Sequence, residues 1–86
     1  MDCIIVHFSN RTDTMRLFDI LKKLRLKVVI VPTPNQIAKS CGISLKAKYK
    51  EIGIIVKYIN NLHLSSFKNI YVEKKIGGRV SYVKIA

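Results

Sequence analysis

Two adjacent glycines, Gly77 and Gly78, stand between two alternating runs near the end of the chain, and they limit what it can fold into more than any other feature. Both can take the positive φ that a two-residue hairpin turn requires, so the flanking strands must pair in one register. That register sets Ile76 against Arg79, Lys74 against Ser81, Val72 against Val83 and Ile70 against Ile85. On the other face it sets Tyr71 against Lys84, Glu73 against Tyr82 and Lys75 against Val80. The first face is apolar at its base and polar at its tip, and the second is basic and partly solvated. Residues 68–86 are therefore expected to form a C-terminal β-hairpin.

The preceding chain alternates strand and helix signals. Cys3–Phe8 is a short β-branched run ending in Ser9-Asn10, which reads as a buried first strand. Thr12 with Asp13 supplies a hydroxyl cap and an early carboxylate for a helix start. Met15, Phe18, Leu21 and Leu24, widened by Leu17 and Ile20, make an apolar stripe, and Arg16, Asp19, Lys22 and Lys23 face away. Lys27–Val31 is a second strand stopped by Pro32. Pro34 fits the first turn of a short helix capped by Thr33 and running towards Ser40. Gly42 releases the chain into an alternating third strand, Ile43–Ala47. In Lys50–Leu62 the β-branched Ile54-Ile55-Val56 competes with a helical period, and the period decides for helix, with Ile52, Ile55, Val56, Ile59 and Leu62 on one face.

This order, βαβ(α)βαββ, is that of an α+β ferredoxin-like sandwich with an added last strand and helices on one face of a mainly antiparallel sheet. A small open α/β sheet is the second reading. At 86 residues the chain is expected to be one domain, burying only ~60–65% of its unfolded surface. No apolar run reaches the ~20 residues of a membrane span. The amino terminus lacks the basic leader and long apolar stretch of a secretory signal, which leads to an expected cytoplasmic location.

Two cysteines, Cys3 and Cys41, do not make a disulfide framework, and no Cys-x-x-Cys or Cys/His cluster stands at zinc spacing. Neither a metal nor another cofactor is expected, and His7 and His63 are far apart in sequence. The net charge of +11, from sixteen Lys and Arg against five Asp and Glu, gives a surface attractive to nucleic acid, acidic proteins or anionic small molecules. The same charge also serves solubility alone.

The run Pro32-Thr33-Pro34, followed after Asn35–Lys39 by Ser40-Cys41-Gly42 and then by Ile43, Leu45 and Ala47, resembles the most recognisable stretch of a selenium/sulfur carrier-like family of small bacterial and archaeal proteins. The resemblance spans roughly Ile4–Leu62. Two departures stand out: Asn35 occupies a position where a charged residue is expected, and the hairpin after Lys68 lies beyond the matched part. The resemblance implies a carrier or relay rather than a turnover enzyme, with Cys41 holding sulfur or selenium as a persulfide or selenopersulfide for donor and acceptor proteins.

Such a carrier needs an accessible thiolate with a tuned pKa. In the expected topology Cys41 sits near the helix start at Ser9–Asp13, with Arg11 and Lys39 as cations and the Gly42 amide as a donor to the sulfur. The candidate site is therefore Cys41 with Pro32, Thr33, Pro34, Lys39, Ser40, Gly42, His7 and Arg11. His7, at the end of the first strand, is a candidate proton acceptor or a partly buried strand residue. The second reading of Cys41 is a small buried hydrophobe. Cys3 should lie at the far end of the first strand, ~16 Å away, as a packing residue. Two other functions fit the composition. One is a nucleic-acid-binding module using Tyr71 or Tyr82 and the basic face. The other is a small oligomerising or regulatory protein pairing through the edge strand Val80–Ile85, with a structural Cys41.

Overall fold

A computed structural model describes residues 2–39 and 42–85. Strand β1, Cys3–Phe8, leads into helix α1, Arg11–Lys23. The cap is Asn10 rather than Thr12: its backbone is extended and its side-chain oxygen accepts the Asp13 N–H at 2.9 Å. Thr14 donates its hydroxyl to the Asn10 carbonyl at 3.2 Å. With its polar atom satisfied locally, Thr14 is fully buried beside Leu17 and Leu21, so the buried stripe is centred one position from the expected one and Met15 and Leu24 are exposed.

The helix ends by placing Arg25 in the left-handed region at φ 63°, with Arg25 N–H bonded to Lys22 O at 2.9 Å and Leu26 N–H to Leu21 O at 3.1 Å. This pair of bonds satisfies two carbonyls that the helix leaves open. Strand β2 is Val29–Pro32, starting two residues after the expected Lys27, because Val28 is drawn into the core ahead of it. Pro32 belongs to the strand, which a missing N–H permits at a sheet edge.

The expected short helix after Pro34 is a single turn, in which Ile37 and Ala38 donate to Pro34 O at 2.9 and 3.1 Å. So short a segment gains too few bonds to offset helix nucleation. Strand β3, Ile43–Lys48, is followed by a 3-10 turn at Tyr49–Glu51 and helix α2, Ile52–Asn61, as the helical period requires. Helix α2 stops as α1 does, with His63 at φ 52° and Leu64 N–H bonded to Ile59 O at 3.2 Å.

Strands β4, Phe67–Ile76, and β5, Arg79–Lys84, form the hairpin with the expected register, Ile76 opposite Arg79 through Tyr71 opposite Lys84. Gly77 and Gly78 take φ 57° and 79°. Ile85 N–H then donates to Ile70 O at 2.9 Å, extending the pairing.

The five strands form an antiparallel sheet in the order β2-β3-β1-β4-β5, so the protein is α+β with β1 central. Ile4, Val6 and Phe8 of β1, Leu45 and Ala47 of β3, and Ile70 and Val72 of β4 share one buried cluster with Leu17 and Leu21 of α1 and Ile55 and Ile59 of α2. The hairpin is therefore integral to the core at its base, since β4 pairs along the whole of β1. On the opposite face Lys46 of β3 bridges Glu73 of β4 at 3.1 Å, spanning β1, where Ile5 is only 1% exposed.

Candidate functional site

The pairing of β1 with β3 sets His7 opposite Ser44, so the end of β1 and the start of α1 meet the start of β3. On the other side of β3, Thr33 N–H donates to Gly42 O at 2.9 Å, continuing the β2–β3 ladder one step beyond Pro32 and Ile43. The Thr33 and Ser44 hydroxyls are hydrogen-bonded at 2.7 Å and both are buried. A Cβ at position 42 would stand 3.4 Å from Thr33 Oγ1, in ordinary van der Waals contact, so Gly42 packs directly beside this hydroxyl pair.

Two depressions adjoin at this end of the sheet. One, of about 380 Å³, is lined by Arg11, Pro32, Thr33, Asn35, Lys39 and Gly42, with Ile43. The other, of about 340 Å³, runs from His7 through Arg11 on one side to Gly42 and Ile43 on the other. Arg11 and Gly42 line both. The first turn of α1 is held here from behind. Ser66 donates its backbone N–H at 3.1 Å and its hydroxyl at 2.6 Å to Asp13 Oδ2, and Ser9 N–H donates to Ser66 O at 2.7 Å. Asp13 is thus engaged by the α2–β4 loop, while the cations Arg11 and Lys39 line the first depression.

Of the residues expected at the site, Arg11, Pro32, Thr33, Lys39 and Gly42 come together around one depression, and His7 joins Arg11 and Gly42 around the next. Pro34 is half-buried and accepts the two turn bonds described above. Ser40 and Cys41 lie outside the described residues. His7 is half-buried, and burial, reinforced by the nearby charge of Lys68, holds its imidazole below the usual histidine range. Cys3 is a half-buried free thiol at the other end of β1, opposite Lys48 and Glu73.

Sequence reasoning did not single out Ser44, whose role depends on a partner in another strand, nor Ser66, which meets Asp13 across 53 positions. Asn35 was visible only as a departure from the expected motif, and it lines the larger depression. On the face carrying Tyr71 and Tyr82 both rings are half-buried, and the Tyr82 hydroxyl donates to Glu73 Oε2 at 3.2 Å.

The molecule is an α+β protein with a cation-lined end where a central strand, a helix amino terminus and a Gly-initiated strand converge. The chain belongs to the family described as "Putative Se/S carrier protein-like", whose model matches residues 2–73 and so reaches into β4. Neither a curated relative nor a solved structure matches it. No helix among the described residues is long and apolar enough to cross a membrane.

Proposed function

We propose that the protein carries sulfur or selenium on Cys41, as a persulfide or selenopersulfide, and passes it to a partner protein. The observation that carries this reading is the shared lining of the two depressions by Gly42, one peptide unit after Cys41, and by Arg11, which belongs to the first turn of α1. Adjacent Cα atoms are ~3.8 Å apart, and Cys41 is joined by one peptide bond to a residue of that lining. Cations and a helix amino terminus favour a thiolate over a thiol and lower a cysteine from its free pKa of about 8.5. Arg11 and Lys39 supply the charge, and a neutral His7 supplies a proton acceptor.

The chemistry is redox-neutral. The Cys41 thiolate attacks the terminal sulfur of a donor persulfide, a new S–S bond forms on Cys41, the donor S–S bond breaks, and the donor leaves as a thiolate that keeps the electron pair. Delivery is the same exchange with an acceptor thiolate. A selenopersulfide differs only in the atom transferred. Exchange of this kind belongs to a reducing compartment, which supports a cytoplasmic location. The basic surface suits docking of acidic donor and acceptor proteins.

The strand order, together with a core shared by α1 and α2, supports a ferredoxin-like sandwich folded as one domain with β5 added outside β4. Incubation with a cysteine desulfurase and cysteine should add one sulfur atom's mass to the wild type and to Cys3→Ser, but not to Cys41→Ser. Equal labelling of Cys41→Ser would overturn the proposal.

A further inference from the structure

The carrier reading uses one end of the sheet, and a second cationic depression lies at the other. Arg25 in the turn after α1, Lys27 before β2, Lys48 at the end of β3 and Lys50 in the 3-10 turn line a space of about 240 Å³ with Leu26 and Glu51. The four cations face one carboxylate. Among the described residues the ion pair within 4.0 Å is Lys46–Glu73, so Glu51 neutralises none of the four by direct contact.

Cations near a helix carboxyl terminus are ordinary, because they complement its negative end. That accounts for Arg25 alone. Lys48 and Lys50 belong to a different part of the chain and arrive through the β2–β3 pairing. The carbonyls of Leu21 and Lys22 are already bonded by the N–H groups of Leu26 and Arg25, so the helix end does not require these side chains as caps. Like charges that line one space repel, and an anion between them relieves the repulsion.

We propose that this depression binds a tetrahedral oxyanion of the phosphate class. Its volume is below the ~300–1,000 Å³ of pockets that enclose whole drug-sized ligands, which fits a phosphate or diphosphate group rather than a complete cofactor. Arg25 offers a planar fork for two oxygens, and the three lysines act as point charges around it. The site stands at the opposite end of β3 from Gly42, and the proposal does not rest on the carrier reading.

The test is an amide NMR titration of the full chain with pyrophosphate, with a short oligothymidine as a second arm at the same salt concentration. Resonances of 25–27 and 48–50 should shift along one saturating curve. Losing one charge-assisted contact should weaken binding about tenfold or more, so Lys48→Gln should show that loss and Lys57→Gln, on the exposed part of α2, should not. Arg25→Gly keeps the fold safe, since glycine tolerates the left-handed conformation at that position, and it should bind as weakly as Lys48→Gln. Saturation by pyrophosphate supports a free phosphate ligand, and tighter, steeply salt-dependent saturation by the oligonucleotide supports backbone phosphates bound at the same site. Shifts that do not saturate and spread over lysines throughout the surface, or affinity unchanged in both Arg25→Gly and Lys48→Gln, would overturn the proposal.

Discussion

Replacing Thr33 by valine keeps the shape of the side chain and removes one of two hydroxyls that satisfy each other at 2.7 Å. The partner left behind, Ser44, has 0% exposure, whereas Thr33 retains 8% and lines the depression beside Gly42. A buried hydroxyl stranded without a partner costs about 1–3 kcal/mol. Thr33→Val should sit at the upper end of that range, because water cannot reach Ser44. Ser44→Ala should cost about 1 kcal/mol, because the Thr33 hydroxyl can turn to water in the depression. The double variant strands neither group, so its cost should fall short of the sum by about 1 kcal/mol or more. Urea unfolding with unchanged m values measures all three, and each kcal/mol should also move the melting temperature by roughly 4–8 °C. Additive costs, or a larger cost for Ser44→Ala than for Thr33→Val, would refute the asymmetric-burial argument.

Gly53→Ala should stabilise the protein by about 0.5–1 kcal/mol in the same assay, because an added methyl meets nothing within 4 Å in the first turn of α2. Gly78→Ala should destabilise it by about 1 kcal/mol or more, since φ is +79° there. Asp13→Ala removes a carboxylate that accepts twice from Ser66 and should cost about 1.5–3 kcal/mol, against less than about 0.5 for the exposed Asp19→Ala. For His7 the folded state disfavours the charged form, so on acidification the unfolded state binds the proton first. The stability it contributes is complete above the ordinary value of 6.5 and is lost as pH falls through the lowered folded-state value. His7→Gln should therefore flatten the decline in melting temperature as pH falls below 6.5.

What the sequence revealed was what its local chemistry determines. The hairpin register followed from Gly77-Gly78 because a two-residue turn leaves the flanking strands no freedom to slip. Helix α2 followed from the spacing of Ile52, Ile55 and Ile59, which outweighed the strand propensity of Ile54-Ile55-Val56. Local signals failed where tertiary contacts decide. Asn10 and Thr12 are both sound caps, and the choice between them depends on where β1 stops, where Ser9 N–H is bonded to Ser66 O in the distant α2–β4 loop. Uniformly apolar Val28–Val31 carries no marker of where pairing begins, and that start is set by β3. At the site, the motif residues drew attention to themselves by type, but the Thr33–Ser44 and Asp13–Ser66 bonds that shape their surroundings join residues of ordinary type across strands and loops.

The same pairing that assembles the Gly42 end also fixes its separation from the basic depression. Gly42 and Lys48 stand at opposite ends of β3, six residue steps apart, which at about 3.3 Å per step is ~20 Å. Charges are screened over ~8–10 Å at physiological ionic strength, so a single phosphate held by Arg25, Lys27, Lys48 and Lys50 lies about two screening lengths from the residues around Gly42. Pyrophosphate bound there should leave the alkylation rate of Cys41 unchanged across pH. A ligand that alters that rate while bound at Arg25 must span the length of β3, as a polyanion or a docked protein can and a small anion cannot. A pyrophosphate-dependent change in Cys41 alkylation, lost in Arg25→Gly, would show that the two ends are coupled through the sheet itself and would refute the argument from distance.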